Sequence, residues 1–395
     1  MRIGVLCYYS FPEGMAATNR IIAYCKGLKS NGVEADVFIF RPIVGNAKTL
    51  MEGDVGGVKY FYAHRRPRHA HKLRKLLYDR PLSLIKTISL MHKAHVVSPF
   101  DSVLLSFDDP FLLIFFGLAL KIILGVKIGF VADEYPIDIR ENGKSKVSFL
   151  HRLLFKMAFY TISYRILIHE KLRNYFNDEF GMKTSYVMGS IVDEERFAVD
   201  TENPSIQNNL CYFGGMDLNN DNVDLIINAF NIIKEKYKHI NLFLYGSPKS
   251  EDERFLIDMI NSLNLKNRVF LKGRISYNEV PLMMRRSAVL VTSQSNTKRA
   301  EGGLPTKLAE YLMAGKPAVV SNVSIISDIL SDRENIYIVE PDNVQAYAQT
   351  LDEILSNYDT ALKVAHKGKL FATQYYGNVH VCRLLKEFLS SQIKL

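Results

Sequence analysis

EGGLPTKLAEYLMAGKPAVVS, residues 301–321, decides the reading of this 395-residue chain. Two glycines and a proline open the stretch, and an amphipathic helix follows. Gly315 and Pro317 then end the helix, and an apolar run closes the stretch. That order spells loop, helix start, helix stop and buried strand. The first turn of a helix has backbone N–H groups without partners, and the macrodipole favours negative charge there, so such a start binds anions. Lys307 falls in the first turn, and Glu310, three residues on, shares its face. A backbone nest, a cation and an acceptor together suit a phosphorylated, hydroxylated ligand such as a nucleotide sugar. The plainer alternative is a buried α/β unit whose Gly and Pro only end elements.

Outward from this stretch, the length exceeds one ordinary core and predicts two domains. Hydrophobic content of 48% with 23% charge is that of a globular protein. Cys7, Cys25, Cys211 and Cys382 are scattered, with no CxxC and no metal spacing. Cys7 and Cys211 fall in predicted strands, where a thiol behaves as a small hydrophobe, so a reducing, cytoplasmic compartment is expected. The opening MRIGVLCYYSFPEG has an apolar run too short for a signal peptide and reads as a first strand. The longest apolar run, 111–120, continues past Lys121 only to Leu124. It is too short to cross a bilayer and predicts a buried crossover helix, so no transmembrane segment is expected.

The first half alternates strands and helices. Strands are predicted at 2–7, 34–40, 58–62, 102–107, 127–131, 165–168 and 185–188. Helices are predicted at 16–29, 110–124, 147–160 and 170–176, and the segment 82–94 follows the basic stretch. The polar stretch 190–208, with Pro204, reads as a linker. The alternation restarts with strands at 210–213, 241–245, 269–272, 289–292 and 336–339, and helices at 222–237, 252–263, 278–284 and 344–355. Helical segments at 361–373 and 379–393 finish the chain. Such alternation predicts α/β architecture: two Rossmann-like, doubly wound domains facing each other across a cleft. The loop 10–14, ending in Gly14, follows the first strand and should border that cleft, since ligands bind at the carboxyl ends of such strands. It lacks GxGxxG, so a dinucleotide site is not supported.

Two such domains, with a glycine-rich turn opening the second and KLAEYLMAGKP near its end, resemble the GT-B glycosyltransferases, in particular the large retaining family 4. The layout of the whole chain is similar. The specific likeness lies in GLPTKLAEYLMAGKPAVV (303–320), YFGGM (212–216), VDEERF (192–197) and YNEVPLMMRRSAVLVTSQS (277–295), the first being the strongest. The resemblance implies an acceptor-binding domain over 1–194, a linker over 195–208 and a nucleotide-sugar domain over 209–375. A last helix, 376–395, would pack back on the first domain. It implies that Glu310 accepts hydrogen bonds from both ribose hydroxyls, which suits a carboxylate. It also implies that the backbone of Gly303, Leu304, Pro305, Thr306 and Lys307 holds the diphosphate, with the Lys307 charge added. Gly14, Gly214, Gly215 and Gly302 complete the expected donor site. Arg274 stands at the position that faces the base in similar enzymes.

The chain departs from the family's pattern in three places. A glutamate that contacts the donor sugar is often found eight residues before Glu310. Here that position is Gly302, and Glu301 lies one residue out of register, where a permissive glycine loop could absorb the offset. An Arg and a Lys often follow the second domain's first strand, whereas 214–224, GGMDLNNDNVD, has no basic residue. Arg274, Lys298 and Arg299 are the candidate replacements. In the first domain a histidine often follows the strand matching 127–131; here Asp133 and Glu134 stand there. With Glu301 they form the expected catalytic set. Asp108, Asp109 and His169, at other strand ends, fit a solvated loop or a satisfied structural role equally well.

The resemblance implies transfer with retention, in which the leaving phosphate takes the acceptor proton. The nucleotide sugar, a UDP- or GDP-sugar, is a co-substrate, and no metal or other cofactor is expected. The expected acceptor is a hydroxyl of a glycan or a lipid-linked sugar in cell-surface polysaccharide assembly. Part of the net charge of +9 lies in HRRPRHAHKLRK, 64–75, ahead of an apolar run broken by Pro81. Basic and amphipathic together predict docking on an anionic membrane through Arg65, Arg66, Arg68 and Lys72. The expected location is then cytoplasmic and peripheral at the inner face of the plasma membrane. No nucleic-acid motif accompanies the charge. Alternatives are another GT-B activity (a sugar-nucleotide 2-epimerase or an inverting transferase) and a non-catalytic glycan-binding protein.

Overall fold

The computed structural model describes residues 1–45, 49–69, 71–140, 147–198 and 208–394, with the side chains of Leu76, Thr306 and Lys394 excepted. The chain divides into two compact units, Met1–Asp193 with Asn378–Leu395, and Glu194–Gly377. Residues 199–207 of the expected linker lie outside the described residues. Its first residues are not linker: they form a helical turn, described below, that belongs to the second unit.

The first unit begins β1 Arg2–Cys7, α1 Ala16–Ser30, β2 Glu34–Ile39 and β3 Ile43–Val44. It continues β4 Glu52–Val55, β5 Val58–Tyr62, β6 Arg65–Arg66 and α2 Lys72–Arg74. A π turn, Lys75–Asp79, leads into α3 Arg80–Val97 and β7 Ser102–Ser106. Then come α4 Pro110–Leu124, β8 Lys127–Ala132, α5 Ile137–Arg140 and α6 Phe149–Thr161. β9 Tyr164–Leu167, α7 Glu170–Phe180 and β10 Ser185–Val187 complete this part. Eight strands form one sheet in the order β10-β9-β8-β7-β1-β2-β5-β4, parallel except for the edge hairpin β4–β5. β3 and β6 form a separate parallel pair.

Start and stop chemistry is plain in α4. Asp109 accepts the Leu112 N–H at 3.0 Å, Pro110 opens the helix, and Gly125 ends it in the left-handed region at φ 67°. Only one side of α4 enters the core. Phe111, Phe115, Leu118 and Ile122 are exposed, which corrects the expectation of a fully buried crossover helix.

The second unit begins with α8 Glu195–Ala198, β11 Asn209–Phe213, α9 Leu218–Asp221 and α10 Val223–Ile233. β12 Asn241–Tyr245, α11 Ser250–Ser262, β13 Val269–Gly273, α12 Val280–Arg286 and β14 Val289–Val291 follow. Next are α13 Lys298–Gly302, α14 Thr306–Ala314, β15 Ala318–Ser321, α15 Ile326–Ile329 and β16 Tyr337–Val339. α16 Val344–Ser356 and α17 Tyr358–Tyr375 end the unit. Its six strands run parallel in the order β13-β12-β11-β14-β15-β16. The core is built from alternate strand residues such as Leu210, Leu242 and Val289, packed under Ile226, Phe230 and Leu351 of the helices.

The last helix, α18 Asn378–Lys394, lies on α1 in the first unit. Asn378 Nδ2 donates to the Ala23 carbonyl at 3.2 Å, and the Cys382 thiol to that of Tyr24 at 3.3 Å. The approach is close because residue 27 is glycine: a Cβ there would stand 2.3 Å from the Asn378 carbonyl oxygen.

Two expectations follow from this packing. In Gly27→Ala, a gain of about 1 kcal/mol in helix propensity is outweighed by overpacking of about 1–3 kcal/mol against backbone that cannot yield. Urea denaturation should show the variant less stable than the parent chain, and an unchanged or raised midpoint would refute the close-packing argument. All four cysteines are buried, and burial pushes the Cys7 and Cys211 thiols up to about 12. A disulfide reagent at mildly alkaline pH should therefore label none of them in the native chain and all four in guanidinium.

Candidate active site

In the second sheet, β11 lies between β12 and β14, and the chain winds outward in opposite directions from these neighbours. The crevice of an open parallel sheet lies at such a reversal, outside the carboxyl ends of the strands. Gly214 and Gly215 leave the end of β11 there, and the segment leading to α13 and α14 leaves the end of β14. Gly214 N–H bonds the Tyr245 carbonyl at 3.0 Å, and Gly246 N–H bonds that of Gly273 at 2.9 Å. The turns after β11, β12 and β13 are thereby tied together.

α14 starts after Pro305 with no side chain capping its first turn, and Gly315 ends it at φ 66°. From 307 to 314 every residue is buried except Lys307 and Glu310. The two side chains thus share the accessible edge of a helix whose N-terminus is open to an anion.

Lys307 donates to Asp221 Oδ1 at 2.7 Å and to the Tyr212 hydroxyl at 2.8 Å, and its Nζ lies 4.3 Å from the centre of the Tyr212 ring. Gly214 is required at this spot. A Cβ there would fall 2.7 Å from Lys307 Nζ and 2.3 Å from the Tyr212 oxygen. Burial opposes ionisation of Asp221, but the Lys307 charge and hydrogen bond, with help from Tyr212 and the Asp217 N–H, hold its carboxyl below the usual range.

Glu310 Oε1 accepts from Arg196 Nη1 at 2.6 Å. Arg196, on α8, also donates to the Tyr277 carbonyl at 2.6 Å and lies 3.5 Å from the centre of the Tyr277 ring. The guanidinium is nearly buried, so Glu310 is held from behind by a cation fixed by stacking.

The other expected donor residues are placed more loosely. Glu301 and Gly302 close the short helix α13, capped by Thr297, and Glu301 pairs with Lys298 at 2.6 Å. This corrects the expectation of a permissive loop there, because the helix fixes the Glu301 backbone. Gly303 is extended at φ −112°, which any residue adopts, and Leu304 and Pro305 are buried. A ligand there can meet only their backbone, an N–H at 304 and a carbonyl at 305. The side chain of Thr306 lies outside the described residues. Gly215 is half-buried, and Arg274 is exposed in the turn after the edge strand β13, two strands from β11.

In the first unit, Asp133 and Glu134 follow β8. Asp133 is 3.0 Å from the buried Arg20, while Glu134 and Asp108 each lie 3.2 Å from Arg140. Burial, then the charges of Asp133 and Asp108, push the Tyr9 phenol up, so it remains a donor beside these acids. Gly14 has a local reason to be glycine, since a Cβ would stand 2.0 Å from Thr18 Oγ1, which bonds the Ser10 carbonyl. Asp109 and His169 act as N-caps of α4 and α7.

The basic segment 64–75 is not one amphipathic face. Arg65 and Arg66 form β6, and Arg65 donates to the carbonyls of Gly45 at 3.0 Å and Thr49 at 2.7 Å. His64 is buried against Asp79 and Arg66 is half-buried, while Arg65, Arg68, Lys72 and Arg74 are exposed. Among the described residues, no group of three or more His, Cys, Asp and Glu is arranged to hold a metal ion.

Residues 194–371 match the model of the family Glycosyl transferases group 1. The poly(ribitol-phosphate) alpha-N-acetylglucosaminyltransferase of Staphylococcus aureus is 25% identical over 148 residues, which span 37% of this chain and 28% of that protein. Sucrose-phosphate synthase from Thermosynechococcus elongatus is similar in structure, with TM-score 0.75 and 12% identity over 100% of this chain and 99% of that one. HepE of Anabaena, in complex with UDP and glucose, has TM-score 0.74 and 16% identity, covering 99% of this chain and 100% of its own. A mutant of S. aureus TarM, in complex with Fondaparinux, alpha-GlcNAc-glycerol and UDP, has TM-score 0.70 and 12% identity, covering 98% and 99%. The fold is GT-B, and glycosyltransferase is the enzyme class of the matched unit.

A carboxyl held below its ordinary value contributes stability that is present above the unfolded-state value and is lost as pH falls through the folded-state one. Stability of the second unit should therefore fall as pH is lowered from about 5 toward 3. In Asp221→Asn that acid dependence should be shallower, as read by denaturant midpoints across the range. An identical slope in the two proteins would show that the Lys307 pair contributes nothing.

Proposed function

We propose that this chain is a retaining glycosyltransferase of family 4, moving a sugar from a UDP- or GDP-sugar to a hydroxyl of a glycan or lipid-linked acceptor in cell-surface polysaccharide assembly. The observation that carries the reading is the pair Lys307 and Glu310 on the open edge of α14, beside the glycine turn at a sheet reversal. Glu310 accepts from the ribose hydroxyls. The N–H groups of 303, 304, 306 and 307 and the Lys307 charge hold the diphosphate, and Gly214 leaves room for that lysine.

As the bond between the anomeric carbon and the diphosphate breaks, negative charge grows on the phosphate oxygens facing the helix start. The acceptor oxygen forms the new bond to the anomeric carbon, and its proton passes to the departing phosphate. Asp133, Glu134 and Glu301 orient acceptor and sugar, and the protein's own cations serve where other enzymes use a metal. UDP is favoured over GDP because similar structures hold UDP or UDP-glucose. A cell-surface glycan is favoured by the likeness to an enzyme named for poly(ribitol-phosphate). Action at the inner face of the plasma membrane follows from a lipid-linked acceptor, with Arg68 and Lys72 facing the lipid. One observation favours a non-catalytic, glycan-binding role instead: Lys307 already shares its charge with Asp221, and 214–224 adds no cation.

Assays with UDP-, GDP- and ADP-sugars, read by nucleoside diphosphate release, separate the two readings. Turnover of a UDP-sugar is expected, and no release from any donor, with or without glycan acceptors, would favour the binding protein. Glu310→Ala should weaken UDP-sugar affinity about ten- to a hundredfold, since a hydrogen bond to a charged group contributes about 1.5–3 kcal/mol. Undiminished affinity would remove Glu310 from the site.

A further inference from the structure

α3, α4, α6 and α7 pack side by side in the first unit. An exposed helix face in water is ordinarily polar. On α4 the exposed positions Phe111, Phe115, Leu118 and Ile122 recur at i, i+4, i+7 and i+11, so they form one stripe, and all are apolar. Ile122 is 79% exposed. The neighbouring α6 adds Leu153, Met157 and Tyr160, the last 83% exposed. The two helices meet tightly, since a Cβ on Gly117 would stand 2.1 Å from Thr161 Oγ1, and the apolar stripes therefore run beside one another.

The three helices of this face carry charge of a single sign, and the nearest acids, Asp109 at the N-cap of α4 and Glu179 on α7, are engaged in a helix cap and an ion pair. α3, α4 and α6 contain no Asp or Glu. Lys86, Lys93, Lys121 and Lys156 are exposed on them, while Arg152 is paired with Glu179. Large apolar side chains on helices whose own exposed charges are lysines match an interface with apolar depth and anionic headgroups. A second copy of this chain fits poorly, because a two-fold interface would set lysines against lysines.

We propose that the apolar, lysine-rimmed face of α4 and α6, flanked by α3, is the surface by which this chain docks on an anionic lipid membrane. Phe111, Leu118, Ile122 and Tyr160 enter the headgroup–acyl boundary, and the lysines pair with lipid phosphates. No helix of the described residues is long and apolar enough to cross a membrane, so the contact lies in the plane of the surface. The inference gives the lipid-linked acceptor reading a docking face. It rests on the surface alone, and its test needs no donor or turnover.

Flotation of the full chain with phosphatidylglycerol-rich vesicles and with pure phosphatidylcholine vesicles tests it. Binding to the anionic vesicles only is expected, weakening as salt is raised. Phe111→Ser, Leu118→Ser and Ile122→Ser combined should lower vesicle affinity about tenfold or more, because the apolar term is lost. As these side chains are exposed, thermal stability should be unchanged. Lys121→Glu with Lys156→Glu, a second variant that leaves the apolar stripe intact, should lose binding at low salt. Three results would overturn the proposal: a parent chain that fails to float with anionic vesicles, variants that float as well as the parent, or a concentration-dependent dimer that the serine variant converts to monomer.

Discussion

β11 pairs with β14 in parallel, Leu210 opposite Val289 and Cys211 opposite Leu290, and this pairing governs the rest of the second unit's site. Strands far apart in sequence become neighbours, so their carboxyl ends open side by side. The glycine turn of one then faces the helices that follow the other. Without that neighbour relation, Gly214 and Lys307 would have no reason to meet. With it, a side chain at 214 would collide with the lysine and with Tyr212. Parallel strands demand long crossovers, and it is the crossover after β14 that supplies α13 and α14.

The electrostatics of the site build on this geometry. Two ion pairs flank the open start of α14, and each joins residues far apart in the chain. Lys307 with Asp221 sits on the β11 side, and Glu310 with Arg196 on the side of α8 and Tyr277. Each holds its α14 side chain in a defined position before any ligand arrives, which lowers the entropy lost on binding. The same pairing partly neutralises Lys307, so the amides at the helix start carry more of the proposed work on a diphosphate.

Much of this was legible in the sequence. Strands and helices with a clear period, such as 110–124 and 241–245, fall where their patterns put them, because burial of one face dictates both. The placing of Lys307 and Glu310 on one edge of a helix also followed from spacing alone. Short pieces escaped: α8, α9 and α13 are too brief to show a period, so Glu301 was read as loop. Arg196, Asp221 and Tyr277 were missed as site residues because their partners lie far along the chain, Arg196 being 114 residues from Glu310. The signal for Arg196 was present in VDEERF, a cation beside apolar Phe197 that needed a buried partner. The exposed side of α4 was hidden for the opposite reason: its sequence is apolar on every side apart from Lys121, and only the fold shows which side lacks cover.

The central claim is that Glu310 reads the ribose of a nucleotide held at the start of α14. Calorimetric binding of UDP and of its 2′,3′-dideoxy analogue, to the parent chain and to Glu310→Gln, tests it most directly. The account predicts that the parent prefers UDP by about tenfold or more, and that the variant binds the two ligands within about twofold of each other. An undiminished preference for UDP in the variant would contradict it.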